Sequence, residues 1–121
     1  AIIAVSVTLH ELLHGLGWMV AGSLHWQDVH FHLSAMMPTT NCEIPLAKRA
    51  YLTGVLLPFA VLGRASLALL LIFPGTLSLL SALVNFTLAG ADLVIALCVL
   101  REPQNARIAD HPTLAGYVIA E

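Results

Sequence analysis

The sequence predicts an all-α membrane protein of three transmembrane helices, with a short β-hairpin or re-entrant element after the first. Three observations carry that expectation. Hydrophobic residues make up 59% of the 121-residue chain and charged residues only 10%, whereas a soluble domain carries about 25% charged residues. Three apolar runs each approach the roughly 20 residues that a helix needs to cross a hydrocarbon core. Between the first and second runs, helical periodicity gives way to a short apolar–polar alternation.

The length suits one compact unit, so residues 1–121 are expected to form a single membrane-embedded domain. The chain opens on Ala1 inside apolar sequence, as a fragment lacking upstream sequence would. No basic segment precedes the first apolar run, so no cleavable signal is expected. Formal net charge is -2, and no basic patch is interleaved with aromatics. Nucleic acid is therefore not an expected partner. Cys42 and Cys98 are too few for a disulfide framework. Cys98, inside the last apolar run, is expected to be buried as a small hydrophobe.

The first segment runs from Ala1 to about Ala21 and is charged only at Glu11. Gly15 and Gly17 leave room for a neighbouring helix. Trp18, near the exit, fits an interfacial anchor. Next, Trp26, Val29, Phe31 and Leu33 include a short alternation, with His30 and His32 between apolar neighbours. That pattern reads as a strand, and Pro38-Thr39-Thr40-Asn41 reads as turn or loop. A strand edge in lipid would leave backbone groups unpaired, so the hairpin belongs at the surface or against protein.

The second run extends from about Ala50 to Phe73, preceded by Lys48 and Arg49. Pro58 within it frees a carbonyl, which then needs another partner. Arg64 must snorkel, mark a break or pair inside the bundle. Pro74-Gly75 is a turn signal. The third run extends from about Leu77 to Leu100, and its conspicuous polar residues, Asn85 and Asp92, share a helix face. Ala89, Gly90 and Ala91 make the surface beside Asp92 small and closely packable. The tail is polar at first and returns to an apolar Tyr117-Val118-Ile119.

Charge sets an expected topology. Lys48 and Arg49 precede the second span, and Arg101 and Arg107 follow the third. Both clusters then lie on one side, which the positive-inside rule assigns to the cytoplasm. On that side His14 lies roughly 10 Å deep and Asp92 roughly 12 Å deep at the helical rise per residue.

The matched depth matters because His10-Glu11-Leu12-Leu13-His14 is an HExxH motif. Its spacing puts two imidazoles one helical turn apart on one face. His10, His14 and Asp92 are the expected zinc ligands, since catalytic zinc commonly takes three protein ligands. Glu11 is the expected general base. The bland alternative is a metal-free hydrogen-bond cluster. His111, in Asp110-His111-Pro112, competes with Asp92 for the third position, and its alternative is a loop histidine with Asp110 capping the turn. Asn85 either positions substrate or orients Asp92, or makes an interhelical hydrogen bond. His30 and His32 read as a polar strand face, His25 as an interfacial side chain, and Cys42 as weak evidence for metal or redox chemistry.

The chain resembles the putative zincin peptidase family of small membrane proteins, related in plan to site-2-type intramembrane zinc metalloproteases. The resemblance rests on His10 to Trp18 (HELLHGLGW), Leu56-Leu57-Pro58-Phe59, Asn85 followed by Gly90 and Asp92, and Asp110-His111-Pro112 with Gly116. It implies a three-helix core holding Zn2+ toward the cytoplasmic side, with the HExxH at His10, Glu11 and His14. It also implies that Asp92 supplies the third ligand, within Gly90-Ala91-Asp92-Leu93 rather than the Asn-Pro-Asp-Gly or Leu-Asp-Gly pattern often found in site-2-type proteases.

The expected activity is zinc-dependent hydrolysis of peptide bonds in membrane proteins, within or near the bilayer. The hairpin from about Trp26 to Leu33 is expected to pair with an extended substrate segment. The expected partners are that membrane protein or peptide substrate, the lipid bilayer and, in a homo-oligomer, further copies of the chain. The rival readings are a non-catalytic membrane scaffold with a structural metal and a metal-handling transport module.

Overall fold

The computed structural model describes residues 2–34, 37–111 and 116–120. Helix α1 spans Ile2–Ala21. After a short 3-10 turn at Trp26–Asp28 come strands β1 (His30–Ser34) and β2 (Met37–Asn41). Strand β3 (Leu46–Ala47) leads directly into α2 (Lys48–Pro58). A π-helical turn at Phe59–Gly63 joins α2 to α3 (Arg64–Ile72). Helix α4 (Thr76–Leu100) follows, then β4 (Arg107–Asp110) and β5 (Tyr117–Ala120).

Three stretches among the described residues are long and apolar enough to cross a membrane: Ile3–Ala21, Lys48–Ile72 and Thr76–Leu100. The second is continuous through Pro58 because the π turn absorbs the disturbance. Large apolar side chains such as Ile3, Leu12, Leu67, Leu83, Val94 and Leu97 point outward from all three. In water such a surface would aggregate; against lipid tails it is the ordinary exterior. The chain is thus a multi-pass integral-membrane protein by its helices.

The hairpin follows the first helix, as the alternation predicts. Strands β1 and β2 are antiparallel, with Phe31 opposite Thr40 and His30 opposite Asn41. The expected loop at Pro38–Asn41 is a correction: these residues are strand. Thr39 and Thr40 are β-branched and suit a pleated surface, and a proline is tolerated where a strand is an edge. Residues 35 and 36, between the strands, lie outside the described residues.

A second sheet, unforeseen in the sequence, closes one end of the bundle in the order β3-β4-β5. Leu46 pairs with Ile108, and Ala109 pairs with Val118. Ile108 is fully buried against Trp18, Tyr51, Val99 and Cys42. The Lys48 ammonium is also buried here, donating to the carbonyls of Leu100 and Glu102 at 2.9 Å each. It therefore caps the C-terminus of α4, where carbonyls lack helical partners.

Three further expectations are revised. Trp18 is only 2% exposed and belongs to the core rather than to an interfacial belt. Gly54 on α2 leaves room for its indole, since any Cβ there would collide with the ring. Cys98 is exposed on the outer face of α4, while Cys42 is the buried cysteine. Gly17 does admit a helix, for a Cβ there would lie 2.7 Å from the Gly54 Cα, but Gly15 admits the Phe31 ring of the hairpin. Arg64 is exposed at the start of α3.

Candidate metal centre

Helix α1 carries His10 and His14 on one face, and α4 presents Asp92 to them. His10 Nε2 lies 2.6 Å from Asp92 Oδ2, and His14 Nε2 lies 3.1 Å from the same oxygen. The two Nε2 atoms are 3.2 Å apart. Both histidines are buried, and the Asp92 side chain is 13% exposed. The rings meet edge to face at 4.7 Å, and His14 stacks on Trp18 at 5.5 Å.

The other nitrogen of His14 explains this arrangement. His14 Nδ1 is 2.9 Å from the Gly54 carbonyl oxygen, which can only accept. The proton therefore sits on Nδ1, and in the neutral ring the Nε2 lone pair faces His10 and Asp92. Such a partner on the distal nitrogen is the usual support of a metal-ligating histidine.

The donor set fits a cation. Two ligands about 2.0–2.1 Å from a tetrahedral zinc stand roughly 3.3 Å apart. The separations of 3.2 and 3.1 Å to His14 are close to that, the 2.6 Å between His10 and Asp92 is shorter, as in a hydrogen bond, and one atom from each of the three residues lies within 4.8 Å of the others. Two imidazoles and a carboxylate are also the chemistry zinc accepts. A divalent ion would neutralise the charge that Asp92 carries into an apolar span.

Glu11 projects from the same turn toward the hairpin. Its Oε2 accepts the Thr40 backbone N–H at 2.8 Å, and its own carbonyl accepts the Thr40 hydroxyl at 2.8 Å. The carboxylate is half-buried beside the two histidines. The HExxH turn is thus held on one side by α2 and on the other by β2.

The remaining expected site residues are placed elsewhere. Asn85 donates from Nδ2 to Ser66 Oγ at 2.6 Å, an interhelical bond between α4 and α3. Its buried Oδ1 has no partner among the described residues. Asp110 stands behind the core: its carboxylate accepts the Cys42 N–H at 2.8 Å and the Tyr51 hydroxyl at 2.6 Å. Burial pushes its pKa above the ordinary carboxylate range, against those two bonds. His111 donates its backbone N–H to the Gly116 carbonyl at 3.1 Å and is outside the three-residue cluster. Pro112 lies outside the described residues. Cys42 is fully buried and its thiol is pushed up to about 11, chiefly by burial, so little of it is thiolate at neutral pH.

Three participants were not named from sequence: Thr40, Gly54 and Tyr51. Thr40 and Gly54 act at least partly through the backbone, which leaves no residue-type signal. Pro58 is the one usable clue, because the carbonyl it frees is that of Gly54. Tyr51 links the Asp110 carboxylate to Trp18, on which it stacks at 5.7 Å, and so supports His14 from behind.

A family model described as putative zincin peptidase matches residues 3–107, short of Asp110 and His111. No curated protein and no solved structure matches the chain.

Proposed function

The chain belongs to the putative zincin peptidase family, and from that premise we propose that it is a zinc-dependent peptidase hydrolysing membrane proteins within or next to the bilayer. The observation that carries this reading is the convergence of His10, His14 and Asp92 beside Glu11.

In this reading His10 and His14 from α1 and Asp92 from α4 hold the ion. Bound zinc supplies Lewis acidity to a scissile carbonyl and acidifies water. Glu11 takes a proton from the attacking water and returns it to the leaving amine. Its orientation comes from Thr40, whose N–H fixes one carboxylate oxygen and leaves the other available. Asn85 and Ser66 tie α3 to α4, and Asp110 with Tyr51 braces the core behind His14.

A helical substrate keeps its carbonyls occupied, so the reacting segment is extended. In this reading the two-stranded hairpin is the element that such a segment joins as an added strand, and β2 already touches Glu11. Residues 1–121 act as one unit in this reading. Arg49, Arg101 and Arg107 lie at the end of the bundle that β3 and β4 close, and by the positive-inside rule they support a reading in which that end faces the cytoplasm.

The test compares membranes from cells carrying the wild type or Glu11→Gln, by quantitative sequencing of new protein N-termini. Zinc per chain is measured by elemental mass spectrometry on both proteins. The expected result is one zinc in each and new N-termini near apolar segments with the wild type alone. Identical N-terminal profiles with zinc bound in both would sink the peptidase reading in favour of a structural metal.

A further inference from the structure

We propose that Pro58 is a positioning residue for the metal centre, because its missing N–H frees the Gly54 carbonyl that holds His14 in its ligating tautomer. The inference rests on the metal-centre reading above.

In a regular helix the N–H of residue 58 would bond to the carbonyl of residue 54. Proline has no N–H, and its ring presses against that carbonyl. The next N–H, that of Phe59, goes to the Leu56 carbonyl instead. Position 58 therefore offers Gly54 no donor, and the N–H of Phe59 is directed to Leu56. In an apolar span an unpaired carbonyl is costly, so a partner must come from another helix. His14 Nδ1 supplies it at 2.9 Å.

The fit depends on close packing. Gly17 of α1 lies against Gly54, where an added Cβ would stand 2.7 Å from the Gly54 Cα. Trp18 covers Gly54 from the next position and donates its Nε1–H to the Tyr51 carbonyl at 3.1 Å. Two side chains of α1, one turn apart, thus bond to backbone carbonyls of α2. Only one of those carbonyls has lost its helical donor, and it is the one facing the HExxH motif. The Pro58 ring is itself fully buried, and the π turn begins immediately after it, which lets α3 continue toward Ser66 and its bond with Asn85.

Each need answers the other. Without Pro58, His14 competes with a backbone N–H for the carbonyl. Without His14, the freed carbonyl loses the donor that stands in for its missing helical one. The tautomer follows, because a proton held on Nδ1 leaves Nε2 as an acceptor beside Asp92 and His10.

The test uses the full chain in micelles, with 15N-labelled histidine and a His14→Gln spectrum to assign the resonance. In metal-stripped wild type, His14 is expected to carry its proton on Nδ1. In Pro58→Ala, a mixture of tautomers is expected, with zinc affinity weakened on the order of tenfold or more in chelator competition. An α-hydroxy acid incorporated at position 58 lacks both the ring and the N–H, and is expected to keep the wild-type tautomer and affinity within about twofold. Should Pro58→Ala fail to fold, the wild-type spectrum and the hydroxy-acid protein still decide.

Wild type that takes up no zinc overturns the metal-centre reading. Zinc-binding wild type with His14 protonated on Nε2 overturns this inference alone. So does a Pro58→Ala protein with unchanged tautomer and affinity, or a hydroxy-acid protein that loses zinc as the alanine variant does.

Discussion

Thr40 holds Glu11 twice: its backbone N–H donates to Glu11 Oε2, and its hydroxyl donates to the Glu11 carbonyl, both at 2.8 Å. The two bonds separate by mutation. Thr40→Val removes the hydroxyl bond and keeps the N–H, so it should cost about 1 kcal/mol of stability and leave cleavage nearly unchanged. Thr40→Pro removes the N–H that orients the carboxylate. Cleavage should then fall on the order of 10- to 100-fold with zinc still bound. Equal losses from both variants would mean that Thr40 serves only to hold the hairpin down.

Asp92 joins α4 to the HExxH helix, lying 2.6 Å from His10 and 3.1 Å from His14. Asp92→Asn keeps the shape and removes the charge. Zinc content should drop from about one per chain, the value for a three-ligand site, toward zero, while helix content by circular dichroism stays. A fully loaded Asp92→Asn protein would hand the third position to another residue.

The parts of this site that could be read in advance are those that a one-dimensional chain expresses. The spacing of His10 and His14 follows from helix geometry, and the matched depths of His14 and Asp92 from that geometry together with the charge pattern. Thr40 and Gly54 were invisible because their groups are backbone atoms whose partners appear only after the chain packs. Pro58 announced a freed carbonyl, yet not the side chain that would claim it. Trp18 is ambiguous in the sequence because an indole near a helix end suits either an interface or a core. Only the glycine facing it on another helix decides between them. The β3-β4-β5 sheet is not legible in the sequence because β3 is two residues long and pairs Leu46 with Ile108 across half of the chain.

Asp110 gives the chain a pH signature outside the spans. Burial raises its folded pKa above the ordinary carboxylate value, so the native state holds the proton more tightly than the unfolded chain does. Stability from this group is complete below the unfolded carboxylate range. It declines as pH rises through the window up to the raised folded value, and is flat above it. Asp110→Asn should flatten the thermal midpoint across the window between the ordinary carboxylate value and the raised folded one. It should also lower stability at neutral pH by about 1–3 kcal/mol, because the amide keeps one acceptor oxygen where Tyr51 and Cys42 use two. A pH profile parallel to the wild type would show that Asp110 is not the titrating group.

Cys42 offers a direct reading of when this core opens. It is fully buried, its thiol pKa is pushed up to about 11, and its own N–H is fixed to Asp110. At neutral pH almost none of it is thiolate, and the thiolate is the species that alkylates. In a Cys98→Ser background, a maleimide should leave the native protein unlabelled and modify it only as denaturant exposes the β2 end of the core. Adding Asp110→Asn should raise the labelling rate in step with the stability it costs. Rapid labelling of native Cys42 would mean that the strand leaves Asp110 on its own, and that Thr40, two residues earlier, holds Glu11 only part of the time.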